Sequence, residues 1–207
     1  ITKIIDISIS KGDLNKAMEL INNYSNNINE EIEYLLKIKT IHVLFYLKKF
    51  DELKIYADEI LKENYKDNVY YNDVLKISSD VLLLKDNMDV LNKYSESMFK
   101  IYQNKRTESI EILSSINKVQ EKSDKIDFEL AYLYFLQNNF NKSLSILENI
   151  NVESPYIESS LLLQAEIHDH ILNNKSKAVE IYLLFLDTFP NSIHYDLIRL
   201  RLRGLAS

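Results

Sequence analysis

Glu166, His168, Asp169 and His170 fall within five residues and form the densest set of metal-ligating and proton-transferring side chains in the sequence. On a helix, Glu166 and His170 stand one turn apart and share a face. With help from a neighbouring helix, Glu166, Asp169 and His170 would hold a divalent cation. The spacing is not the His-Glu-x-x-His of a zinc protease. A polar helix face with one i,i+4 hydrogen bond accounts for the same residues more simply. His42 and His194 are isolated and read as ordinary helix residues. Gly12 and Gly204 are the only glycines, and neither lies in a glycine-rich turn. Phosphate loops, dinucleotide folds and nucleophile elbows all need such a turn. Cysteine is absent, so there is no disulfide, thiolate metal site or thiol nucleophile. The expectation is therefore a protein that is not an enzyme and holds no cofactor and no metal.

The elements that carry these residues are read from composition and periodicity. A chain of 207 residues with 46% hydrophobic and 27% charged residues suits one folded domain or one repeat array. The net charge of −6 makes it a poor binder of phosphate backbones, so no nucleic-acid partner is expected. Arg199, Arg201 and Arg203 are the one basic cluster, and they read as a solvated helix face. No apolar run reaches the ~18–20 residues of a membrane span. The sequence opens at Ile1 without a signal-peptide pattern, which reads as a mature or trimmed fragment.

Apolar residues recur with helical period throughout. Helices are predicted over 2–10, 14–24, 28–48, 51–63, 69–84, 88–103, 107–118, 125–138, 141–150, 156–172, 176–188 and 192–205. The connections are short and polar, so consecutive helices are expected to be antiparallel neighbours. No Gly/Ser linker divides the sequence, and a single domain over 1–207 is expected. Residues 198–203 alternate with the period of a strand, but a lone strand after eleven helices would have no partner. As a helix the segment carries one stripe of Ile193, Leu197 and Leu200 and an adjacent one of Ile198, Leu202 and Leu205.

Pro155 and Pro190, the only prolines, end similar segments 35 residues apart. The stretch from Phe128 to Pro155 resembles a tetratricopeptide repeat. Leu130, Ala131 and Tyr134 match its first helix; Phe140, Ser143, Leu147, Ile150 and Pro155 match its second helix and stop. Small residues at Ala131 and Ser143 let the two helices approach closely. The next unit, 159–190, matches at Ala165, Ala178, Tyr182, Phe185 and Pro190; its turn is expected to be one residue longer, and His168 stands where an aromatic is usual. Further upstream the second-helix positions are Ala17, Leu53, Leu91 and Ser109. The step of 18 from Leu91 to Ser109 is half a repeat, so either one register is misplaced or an extra helix lies within 69–103.

The resemblance implies an all-α, right-handed α-solenoid of about twelve antiparallel helices. It implies a non-catalytic scaffold that binds a protein or peptide segment on a concave surface lined by first helices. Carried over, that surface comprises Phe128, Glu129, Tyr132, Phe135, Glu166, Asp169 and His170. Carboxylates among aromatics suit a peptide with basic and apolar side chains. The ending from Leu184 to Ser192 is similar to a repeat variant of bacterial envelope proteins, which favours the periplasm or cell envelope. Two other readings stand beside this one. The first is a structural module of an envelope assembly, docking through its convex face or edges. The second is a helical-repeat enzyme or metal-binding protein centred on Glu166, Asp169 and His170.

Overall fold

The computed structural model describes residues 2–24, 29–62, 71–116 and 124–205. Among them the chain is all-α. The helices are α1 (Thr2–Lys11), α2 (Leu14–Tyr24), α3 (Glu30–Tyr46), α4 (Phe50–Lys62), α5 (Tyr71–Leu84), α6 (Met88–Tyr102), α7 (Arg106–Ile116), α8 (Asp124–Leu136), α9 (Phe140–Leu147), α10 (Ile157–Glu166), α11 (Lys175–Thr188) and α12 (Tyr195–Leu205). A π-helical segment, Ile167–Ile171, continues α10. The predicted helical residues 28, 63, 69–70 and 117–118 lie outside the described residues. The alternating stretch from Ile198 to Arg203 is helical, as part of α12. Contacts group the chain into two compact units, Ile1–Ile116 and Asn117–Ser207.

The helices are joined in a recurrent way that the sequence fixes locally. Five of the connections place one residue in the left-handed region: Gly12 (φ 91), Lys48 (φ 61), Asn104 (φ 60), Asn138 (φ 57) and Asn173 (φ 51). Glycine and asparagine tolerate this conformation best. The amide that follows each of these residues closes the preceding helix by donating back into its last turn. Asp13 donates to the Ser8 carbonyl at 2.9 Å, Lys49 to Leu44 at 2.9 Å, Lys105 to Lys100 at 2.8 Å and Asn139 to Tyr134 at 2.9 Å. The same residue then opens the next helix, its carbonyl accepting from Ala17, Leu53, Ser109 and Ser143 in turn. Those amides belong to the positions at which the second helix crosses the first.

In the later hairpins the crossing is made by small side chains. Ser97 of α6 meets Ser109 of α7 with hydroxyls 2.7 Å apart, and both are fully buried. Ala131 and Ser143 do the same for α8 and α9, and Ala165 and Ala178 for α10 and α11, each at 0–1% exposure. Helix α6 is therefore the first helix of a hairpin, with α7 as its second. Leu91 lies on that first helix, so its expected place as a second-helix crossing residue is a register error. Helix α5 is the extra helix: it reaches α6 through Lys85–Asn87, a turn without a left-handed residue, and packs on α3, α4 and α6.

The expected one-residue lengthening of the last turn is also corrected. Asn173 and Asn174 occupy the turn as Asn138 and Asn139 do, and the additional residue sits inside the helix, in the π segment. The closing bond consequently spans six residues, from the Asn174 amide to the His168 carbonyl at 2.8 Å. A single-turn π segment is the usual way for a helix to absorb one inserted residue.

Each unit has its own core. In the first, Ile5, Ile9, Ala17, Ile21, Leu36 and Val43 pack together. The end of α6 is fastened to α1: Tyr102 Oη donates to Asp6 at 3.0 Å and Gln103 Nε2 to the Ser10 carbonyl at 3.0 Å. Asp6 also pairs with Lys39 of α3. In the second unit one cluster joins Ala131, Leu147, Leu163 and Ile167, and another joins Ala165, Ala178, Phe185 and Ile198.

Two substitutions test this packing. Ala178→Leu forces extra volume into a fully buried crossing and lowers unfolding free energy by about 1–3 kcal/mol. Lys48→Gly relieves a left-handed lysine and raises it by about 0.5–1 kcal/mol. Urea unfolding midpoints of the two variants measure both effects.

Candidate partner-binding face of the second unit

Helices α8, α10 and α12 carry the polar and aromatic residues singled out in the sequence, and they treat them differently. Phe128 stacks on Tyr156, with centroids 5.9 Å apart, and Phe135 meets Phe140 edge-on at 5.9 Å. Both are partly buried and pack against the cluster around Ala131 and Ile167. Glu129 accepts a hydrogen bond at 3.2 Å from Lys125, whose side chain is 4% exposed and also lies 5.5 Å from the Tyr156 ring. Tyr132 is the exposed member of the group, at 42%, and lies against Phe135 at 6.1 Å.

Glu166 and His170 are exposed, whereas Asp169 between them is buried. The π segment delivers Asp169 inward, where both of its oxygens are taken. Arg201 of α12 donates to it twice, Nε at 2.6 Å and Nη2 at 2.7 Å, and Tyr182 Oη of α11 donates at 3.0 Å. His170 Nε2 lies 3.7 Å from the same carboxylate. Arg201's hydrogen bonds hold the Asp169 carboxyl below the usual carboxylate range against the opposing cost of burial. Burial, then the bond to Asp169, pushes the Tyr182 phenol up to about 12. Arg201's own hydrogen bonds to Asp169 raise its guanidinium. The bidentate geometry is one that only arginine offers a carboxylate. Its role is to tie α12 to the preceding hairpin.

This engagement bears on metal chemistry at 166–170. Asp169 already carries a guanidinium and a phenol, and Glu166, Asp169 and His170 do not converge as ligands. No group of three His, Asp or Glu residues is placed to hold a metal among the described residues. His42 directs Nδ1 to the Ile38 carbonyl at 3.0 Å, and burial lowers its pKa.

Beside Asp169 opens a groove of about 600 Å³ between α10 and α12. Leu162, Glu166 and His170 form one wall, and Leu197 and Leu200 the other, with Arg201 between them. Sequence reasoning brought Glu166 and His170 here but missed the α12 wall and the role of Arg201. The available signal was the placement of Arg201 between the core-facing Ile198 and Leu202. A second groove, about 490 Å³, lies in the first unit and is lined by Phe50, Leu75, Leu82 and Met88. It carries no motif that the sequence would have flagged.

No protein-family model, curated protein sequence or solved structure matches the chain.

The Asp169 pair gives the second unit a defined acid sensitivity. The carboxyl is depressed in the folded state, so its contribution is fully present above the unfolded carboxylate pKa of about 4 and disappears as pH falls through the lower folded value. Asp169→Asn is expected to lower the melting temperature at pH 7 by several degrees and to flatten the loss of stability below about pH 4. Thermal scans of both proteins from pH 2.5 to 7 check the sign.

Proposed function

We propose that this chain is a tetratricopeptide-like, right-handed α-solenoid that acts as a non-catalytic scaffold, binding a peptide with basic and apolar side chains across its first helices. One observation carries the reading: Tyr132 and Glu166, one repeat apart on successive first helices, are both exposed while their neighbours on α8 and α10 pack inward. Recurrent left-handed turns and small crossing residues support the family resemblance. The chemistry follows from the side chains. Tyr132 offers an amphipathic ring, Glu166 a carboxylate for a lysine or arginine, and Leu162 and His170 the adjoining groove wall. Phe128, Glu129 and Phe135 hold that surface in place through their packing, and Asp169 does so through Arg201.

A second reading, docking through the convex side, has its own observation in Leu183 and Leu184 of α11, which are 56% and 51% exposed. A randomised peptide library displayed on phage, selected against the whole chain, separates the two. Enriched peptides should carry lysine or arginine beside apolar residues. Tyr132→Ala combined with Glu166→Lys should weaken them by about 2 kcal/mol or more, while helicity is kept. Peptides indifferent to that pair but lost with Leu183→Asp would place the binding face on the convex side.

A further inference from the structure

A groove of about 250 Å³ opens in the first unit between α3, α5 and α6. It is smaller than the ~300–1,000 Å³ typical of sites for drug-sized ligands, so it suits a short occupant. Rings supply much of its lining: His42 and Tyr46 from α3, Tyr94 and Tyr102 from α6. The extra helix α5 adds two carboxylates, Asp73 and Asp80. Asp73 is exposed, whereas Asp80 is only 7% exposed.

The rings are held by contacts of their own. Tyr102 Oη donates to Asp6 at 3.0 Å and Tyr94 Oη to Asp80 at 2.9 Å. The Tyr46 ring lies 5.8 Å from Tyr102 and 6.2 Å from His42. Burial pushes the Tyr46 phenol up, and it pushes Tyr102 up to about 12, so both stay neutral near pH 7. A neutral aromatic face attracts a cation. His42 adds an acceptor. Its Nδ1 meets the Ile38 carbonyl, which can only accept, so Nδ1 carries the proton. Burial keeps the ring neutral at pH 7, and Nε2 retains its lone pair.

Charge points the same way. Lys76 also lines the groove, three residues after Asp73 and four before Asp80, and helical spacing puts both carboxylates within its reach. With Lys76 counted, the lining holds two carboxylates against one ammonium. A carboxylate has about four acceptor sites, and the Tyr94 hydroxyl takes one of those on Asp80. Ile77 and Met98 supply apolar surface beside these groups. An anion is repelled by such a lining. A neutral apolar ligand would strip water from Asp80 without replacing it.

We propose that this groove binds a primary alkylammonium group, its N–H groups donating to Asp80 and to His42 Nε2, its charge against the Tyr46 and Tyr102 rings and its chain against Ile77 and Met98. A free short-chain amine and a lysine side chain share this chemistry. The site does not depend on the peptide-binding reading, which concerns the second unit.

The three methionines make the test direct. Met98 lines the groove, whereas Met18 and Met88 do not. The whole chain, labelled with carbon-13 at the methionine methyls, is titrated with n-pentylammonium at pH 7 and followed by NMR. The Met98 signal should shift with a Kd of about 1–10 mM, the range open to so small a ligand, while Met18 and Met88 stay in place. Neutral 1-pentanol and anionic pentanoate should each bind at least about tenfold more weakly. Asp80→Asn, which can still accept from Tyr94, should weaken pentylammonium by about tenfold. The exposed Asp73→Asn should weaken it by about threefold. Circular dichroism confirms that each variant is folded. If Asp80→Asn does not fold, Asp73→Asn and the pentanol comparison decide. Nα-acetyl-lysine amide binding as tightly as pentylammonium assigns the site to a lysine side chain; binding of pentylammonium alone assigns it to a free amine. A Met98 signal unmoved at about 50 mM amine overturns the proposal. So does pentanol that binds as well as the amine, or an affinity indifferent to the loss of either carboxylate.

Discussion

Two helices joined by a three-residue reversal have one place where their backbones come closest, and the side chains there set how close. This constraint runs through the molecule. The left-handed residue fixes the reversal, the next carbonyl starts the second helix, and four residues later the chain reaches the crossing. Where the crossing holds Ala131 or the pair Ala165 and Ala178, larger neighbours, Leu147 in the first case and Phe185 in the second, fill the space left over. The burial of the core clusters, and the exposure of Tyr132 and Glu166 on the opposite side, follow from that one register. Reversal and crossing are coupled because a fixed number of residues separates them.

Much of this was legible in the sequence because it is local. Helical period marked the twelve helices of the described residues, and the asparagines at 138–139 and 173–174 marked two reversals. Ala131, Ser143, Ala165 and Ala178 were found as crossing residues because small side chains stand out in an apolar helix. Leu91 was misplaced for a physical reason. Its helix begins with an asparagine cap, Asn87 accepting from the Val90 amide at 3.3 Å, and Leu91 follows by the same four residues that mark a crossing. Such a cap also opens α3, at Asn29, and α11, at Asn174, so it does not by itself mark a crossing. The left-handed residue is what marks a hairpin, and Lys85–Asn87 lacks it.

The candidate site was less legible because its decisive contact is not local. Glu166, Asp169 and His170 look alike in sequence, as three polar residues on one helix. They separate only when Arg201, 32 residues further on, claims the middle one. Phe128 and Phe135 present a similar ambiguity, since an aromatic on a first helix suits a groove or a core equally well, and neighbours from α9 and the segment after it decide in favour of packing. The Lys125–Glu129 pair beneath Tyr156 likewise depends on residues that share no motif.

The π segment has a consequence for the identity of surfaces. One residue added within Ile167–Ile171 rotates everything downstream by about 100° relative to an uninterrupted count. Measured from Leu163 by the 34-residue step that relates Ala131 to Ala165, the matching position on α12 would be Leu197, which is 69% exposed. With the added residue it is Ile198, which is 3% exposed. A single insertion thus decides which residue of the last helix turns to the core while leaving the hairpin that contains it closed. Sequence length and surface chemistry are in this way decoupled from backbone architecture, and such insertions give repeat arrays a means of re-facing a helix without rebuilding it.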